Sequence, residues 1–175
     1  MKNFNRILFI TLILLFSTTT AFAQASKLQF NTKDINNKNI TEAVFKDSKV
    51  TMINVWGTFC GPCINEMPDL GKLSSYYDKS DFQIIGIVID GVNRKGAPDS
   101  KIIHSAKAIV EKTGAHYLHI IPDSKLLDGV LRQIYAVPTT FFVNSKGQII
   151  GNAYAGGRNF EDWLTIVEST MKSAE

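Results

Sequence analysis

The chain has two cysteines, Cys60 and Cys63, and they are three positions apart. A bridge between residues that close shuts almost no loop, so it stabilises a fold very little. The 175 residues therefore cannot rely on a disulfide framework and must fold on a hydrophobic core. Hydrophobic residues make up 45% of the chain and charged residues 20%, which is the balance of a globular protein. The cysteine pair needs a chemical explanation instead.

The pair sits at a change of pattern. Val50 to Trp56 is a β-rich run, expected as a buried strand. Gly57 to Cys60 breaks it. From Cys63 to Tyr77 apolar residues fall at 64, 67, 70, 73, 76 and 77, which is helical spacing. Phe82 to Ile89 is nearly all apolar, as in a strand covered on both faces. A loop follows at residues 91–99, then a helix over Ile102 to Lys112 and a short strand over Tyr117 to Ile121. Asp123 or Ser124 can cap a helix with apolar positions at 126, 127, 130, 131 and 134. Thr139 to Val143 and Gln148 to Ile150 predict a hairpin around Asn144-Ser145-Lys146-Gly147. Asn159 caps a final helix that carries Phe160, Trp163, Leu164, Val167 and Met171. Upstream, Asn36-Asn37-Lys38-Asn39 suggests a hairpin or loop. Strands alternating with helices predict an α/β domain with a mainly parallel sheet, helices on both faces, and antiparallel strands from the closing hairpin.

Residues 1–23 have a different layout. Lys2 and Arg6 precede an apolar run from Ile7 to Phe16, then a polar stretch and Ala21-Phe22-Ala23. This is the layout of a secretory signal peptide. A retained anchor is the alternative, although a spanning helix needs about 20 apolar residues. The domain proper is then residues 24–175. The formal charge of +3 is too mild for a nucleic-acid partner, and Lys2 and Arg6 supply two of those charges.

Cys-x-x-Cys across a strand-to-helix junction has a specific chemical use. Disulfide exchange needs one thiol held as thiolate, and the free N–H groups and dipole of a helix N-terminus stabilise that charge. It also needs a second thiol close enough to attack the mixed disulfide. Cys60, at the helix end, is expected to be the attacking thiolate, and Cys63, one turn in, the buried resolving thiol. Pro62 suits the first helical turn, where its missing N–H is not needed. Half of a zinc site is the bland alternative. It would need His104, His116 or His119 to gather at the pair, and His116 and His119 should point to opposite faces of a strand.

The strand, Trp56-Gly57-Thr58-Phe59-Cys60-Gly61-Pro62-Cys63, the helix and the later Val137-Pro138-Thr139 resemble the thioredoxin superfamily. The resemblance is to its extracytoplasmic TlpA/ResA-like branch, which includes the cytochrome c maturation reductases, and it runs from about residue 30 to the end. It implies a thioredoxin fold, with a central mixed sheet flanked by helices on both faces and an N-terminal β-hairpin extension. It implies that Pro138 is a cis-proline facing the cysteines, with Val137 offering its backbone to a substrate strand. Trp56, Gly61 and Pro62 would complete the substrate surface. Two positions depart from thioredoxin proper or from many relatives. Asn54 stands where thioredoxin has a buried Asp and cannot act as a base, and Phe59 replaces a common Trp. Glu66, three residues after the second cysteine, matches the acidic residue to which this branch assigns proton handling. Equally, it could only complement the helix dipole. Arg94, Lys95 and Arg158 read as solvated charges.

The expected function is therefore thiol–disulfide exchange with protein substrates, in the reducing direction, outside the cytoplasm. Apocytochrome c, methionine sulfoxide reductase and other exported proteins all stay open as substrates. No nucleotide or flavin motif is visible, so no cofactor is expected and a membrane electron donor must regenerate the pair. A peroxidase of the peroxiredoxin type fits the segment poorly. A binding module that uses the thiols as soft ligands for copper, or that delivers haem, is the rival class.

Overall fold

The computed structural model describes residues 27–174. The proposed signal segment lies outside the described residues. Two short strands, β1 (Asn31–Lys33) and β2 (Asn39–Thr41), pair antiparallel as a hairpin. The main sheet is built from β3 (Val50–Trp56), β4 (Phe82–Val88), β5 (Leu118–Ile120), β6 (Thr139–Asn144) and β7 (Ile149–Ala155). Its order is β5-β4-β3-β6-β7. β3, β4 and β5 run parallel, while β6 and β7 are antiparallel to their neighbours, so the sheet is mixed.

Three α-helices connect the strands, α1 (Gly61–Ser74), α2 (Ser100–Thr113) and α3 (Ser124–Asp128), and α4 (Phe160–Ser173) follows the last strand. α1 packs against both α2 and α4. Every residue of β3 and β4 is buried, because both faces of these central strands are covered. Strand alternation divides the core in two. Ile53, Val55, Ile85, Ile87, Phe141 and Val143 meet α3 and the N-terminal hairpin on one face. Met52, Trp56, Ile84, Val88 and Phe142 face α1, α2 and α4 on the other. Asn54 belongs to that second row, between Met52 and Trp56, and so is aimed at α1. Among the described residues no helix is long and apolar enough to cross a membrane.

Two elements differ from the sequence expectation. The helix expected through residue 134 stops at Asp128 and resumes as a 3-10 turn over Val130–Gln133. Gly129 makes the break: a Cβ there would lie 2.6 Å from the Lys125 carbonyl oxygen, a contact no other residue tolerates. β7 runs to Ala155, not Ile150. Its outer residues are largely exposed, so an edge strand of this kind carries little apolar signal.

Candidate active site

Cys60 ends the turn that leaves β3 and is the N-cap of α1. Its backbone is extended (φ −94°, ψ 99°), and its sulfur accepts the Cys63 N–H at 3.2 Å. A capping role usually held by a serine or aspartate oxygen is thus filled by sulfur, which places it against the free N–H groups of the helix start. Cys60 and Cys63 are joined as a disulfide, S–S 2.06 Å. Cys60 is more covered than a helix end suggests: it is 5% exposed, against 1% for Cys63. The cover comes from the loop before β6, where the Val137 carbonyl oxygen lies 3.5 Å from the Cys60 sulfur. The Val137–Pro138 peptide is cis, with Pro138 buried and Val137 half-buried.

Exposed surface around the pair is aromatic and small. Phe59 is 72% exposed, and Gly61 and Pro62 are exposed beside it. Tyr135, two residues before Val137, is 94% exposed. Gly57 allows Phe59 its position, since a Cβ at Gly57 would lie 2.6 Å from the ring. Asp90, just past β4, holds the same turn: its carboxylate accepts the Thr58 N–H at 3.1 and 3.2 Å and the Thr58 hydroxyl as well.

Trp56 is fully buried and packs in one cluster with both cysteines. Its indole N–H donates to His119 Nδ1 at 3.1 Å, and His119 Nε2 donates to the Ala115 carbonyl at 2.8 Å. Both ring nitrogens are therefore used by a neutral imidazole. Burial pushes His119 down to about 4, against the Ala115 hydrogen bond, with His116 adding a little in the same direction as burial. Gly86 makes room for the pair, since a Cβ there would sit 2.3 Å from His119 Nδ1 and 3.0 Å from the indole nitrogen.

Glu66 is 3% exposed and lies on the buried face of α1 with Cys63. Oε1 accepts from Asn54 Nδ2 at 2.9 Å, and Oε2 accepts the Arg158 N–H at 3.1 Å and the Trp163 indole N–H at 3.3 Å. Burial raises its pKa and outweighs these donors, Asn54 first, and the Arg158 charge. No acid stands in the first turn of α1, so Glu66 is too far along to act chiefly on the helix dipole. Asn54 Nδ2 also donates to Thr140 Oγ1 at 3.1 Å. Its Oδ1 is buried and meets no donor among the described residues; such an acceptor costs about 1–3 kcal/mol.

Sequence reasoning singled out Cys60, Cys63, Glu66, Trp56, Gly61, Pro62, Val137 and Pro138; Trp56 packs with the two cysteines, the Val137 carbonyl meets Cys60, and Glu66 is buried on the same helix as Cys63. It missed Asp90, His119 and Thr140 as neighbours, and it missed the contacts made by Arg158, which is half-exposed. Its guanidinium lies over the rings of Tyr154 and Trp163, at 5.2 and 5.1 Å, and donates to the Ala155 and Gly156 carbonyls. One signal was available for His119, because a lone glycine within a strand run marks a close approach. Among the described residues no three His, Cys, Asp or Glu side chains gather as metal ligands.

Comparison with known proteins follows the same lines. A family model described as the AhpC/TSA family matches residues 23–151. The chain is 33% identical over 110 residues to the thiol:disulfide interchange protein HelX of Rhodobacter capsulatus, which covers 63% of this chain and 54% of that protein. It thus spans about half the length of that relative. It is 24% identical over 169 residues to the thiol-disulfide oxidoreductase ResA of Oceanobacillus iheyensis, covering 85% of this chain and 81% of the other. A crystal structure of a thioredoxin-family thiol:disulfide interchange protein from Chlorobium tepidum TLS superposes with a TM-score of 0.68 at 21% identity, over 86% of this chain and 99% of that one. That likeness shows the thioredoxin fold.

Proposed function

From the premise that the chain belongs to the AhpC/TSA family, a branch of the thioredoxin superfamily, we propose that it is a thiol–disulfide oxidoreductase of the ResA type that reduces disulfides in exported proteins. The observation that carries this is the Cys60 sulfur at the N-cap of α1, accepting the Cys63 N–H and bonded to the Cys63 sulfur. Two thiols three residues apart favour disulfide exchange over a peroxidase built on one peroxide-reactive cysteine.

In the reducing direction, thiolate Cys60 attacks a substrate disulfide and releases one substrate thiolate. The Cys63 thiol then passes its proton to the Glu66 carboxylate. The Cys63 sulfur attacks Cys60, the Cys60–Cys63 bond forms, and the bond from Cys60 to substrate breaks. The second substrate sulfur leaves as thiolate and takes up a proton. Two electrons pass from the dithiol to the substrate, so a membrane donor must restore the pair. Val137, Pro138, Gly61, Pro62 and exposed Phe59 border the sulfur that a substrate must reach, whereas Trp56, expected on that surface, is fully buried behind the pair and offers none of it. Apocytochrome c is the substrate class the family resemblance favours, and the basic-then-apolar pattern of residues 1–23 supports an extracytoplasmic location.

Two measurements test the assignment. In the reduced protein Cys60 should alkylate faster than Cys63, with an apparent pKa below the usual 8.5 or so; equal rates, or a faster Cys63, would reverse the roles. Replacing Glu66 by Gln removes a charge that disfavours nearby thiolate, so the apparent thiol pKa values should fall and turnover should slow. Thiolate absorbance curves that superimpose on those of the parent would end the proton-accepting role.

A further inference from the structure

The ionised Glu66 is surrounded by donors, and each donor faces one definite oxygen. The two groups at Oε2, the Arg158 backbone N–H and the Trp163 indole N–H, have no acceptor to offer. An added proton therefore belongs on Oε1, where the partner is the Asn54 side chain. That side chain now presents its NH₂, one hydrogen to Glu66 Oε1 and the other to Thr140 Oγ1. A protonated Oε1 would meet an N–H head-on. The opposite side of the same amide carries the buried Oδ1 that meets no donor among the described residues.

A half-turn of the amide about its Cβ–Cγ bond answers the first point and pairs Oδ1, while the NH₂ takes the side that Oδ1 leaves. Oδ1 would then face Glu66 and Thr140, and its two lone pairs can accept from a carboxyl O–H and from a hydroxyl. Thr140 serves either arrangement, since a hydroxyl can accept or donate. An aspartate at position 54 could not do this, because an ionised carboxylate only accepts and would repel the Glu66 charge.

We propose that Asn54, with Thr140 behind it, is a positioning residue whose side-chain amide turns over when Glu66 takes the proton of Cys63, so that a carbonyl replaces an NH₂ at the carboxyl. This rests on the reading of Glu66 as proton acceptor. The charged and titratable groups around Glu66 are few. Cys63 shares its helix, and the Arg158 guanidinium stands beside α4. The Tyr117 phenol, held protonated by burial first, is further disfavoured as phenolate by the Glu66 charge. Asp69 and Asp162 line the open groove that adjoins the carboxyl. Among the described residues the hydrogen-bond partner of Oε1 is the Asn54 side chain.

The test is a pH titration of the whole chain by NMR, oxidised and reduced, from about pH 4 to pH 9. The Glu66 carboxyl carbon and the Asn54 side-chain NH₂ are followed together. The expected result is one shared midpoint, with both amide protons losing their hydrogen-bonded shifts as Glu66 protonates. In Glu66→Gln, whose NH₂ stands in for the carboxyl O–H, the Asn54 signals should hold the low-pH position at every pH. A Glu66 carbon that titrates while the Asn54 signals stay still overturns the turning amide and leaves the proton acceptor standing, as does an Asn54 signal fixed at the high-pH position in Glu66→Gln. A Glu66 carbon that titrates in neither redox state overturns the proton acceptor, and the amide inference with it.

Discussion

In the Cys63→Ala protein, disulfide-linked complexes through Cys60 accumulate, and multiple-turnover reduction of a protein disulfide falls by on the order of 10³-fold or more, the scale on which losing one member of a covalent catalytic unit is felt. The Cys60 sulfur keeps its place at the helix N-cap in this variant, because the Cys63 backbone N–H that it accepts survives the substitution. The first attack should therefore run within about tenfold of the parent in a single turnover, a change of less than about 1.4 kcal/mol in barrier. What disappears is the second attack, since no sulfur remains to displace the substrate. Cys60→Ala should form no complexes and show no first phase. Non-reducing gels and single-turnover kinetics on both variants read these outcomes. Multiple turnover by Cys63→Ala within tenfold of the parent would remove Cys63 from the resolving step, and complexes in Cys60→Ala would reverse the assignment.

Acid should destabilise the fold through His119. The imidazole is neutral, buried and held down to about 4, against about 6.5 in an unfolded chain. The unfolded state then binds a proton that the folded state refuses as pH drops below 6.5. At neutral pH the group contributes nothing either way. Between about pH 6.5 and pH 4 it removes about 1.4 kcal/mol of stability per pH unit, about 3 kcal/mol in all, and below that both states are protonated. Glu66 acts with the opposite sign, because its raised pKa costs stability above that value and the cost is relieved as the carboxyl protonates. Comparing the parent with His119→Gln cancels the Glu66 part. Denaturant unfolding at several pH values should give a shallower acid slope for the variant, and equal slopes would refute the neutral buried His119. Protonation would also break the Trp56–His119 hydrogen bond, because Nδ1 would become a donor facing a donor. Acid should thus loosen the indole that packs against the disulfide, with a matching change in Trp fluorescence.

Pattern alone was enough for most of the scaffold. A seven-residue β-rich run, a break and helical spacing define β3, the redox turn and α1, because burial on both faces and on one stripe leaves periodicities of different kinds. The hairpin around Asn144 and Gly147 and the caps at Asp123 and Asn159 were readable for a similar reason: each is local chemistry, confined to a few consecutive residues. The two cysteines were legible because their spacing excludes a structural role and the helix start supplies a chemical one.

The surroundings of those cysteines were decided by tertiary structure. Asn54, Glu66, Thr140, Arg158 and Trp163 come from two strands, two helices and a loop, and only packing α1 between the sheet and α4 brings them into hydrogen-bond reach. Trp56 and His119 lie 63 residues apart in sequence and meet because β5 pairs with β4 at Gly86, where the missing side chain leaves the space. Arg158 looked like any surface cation until two aromatic rings were stacked under it. The sequence determined which residues could do redox chemistry, because thiol spacing and helix starts are local. The burial that raises Glu66, lowers His119 and leaves one face of Asn54 without a donor depends on contacts between distant segments, and those exist only once the chain is folded.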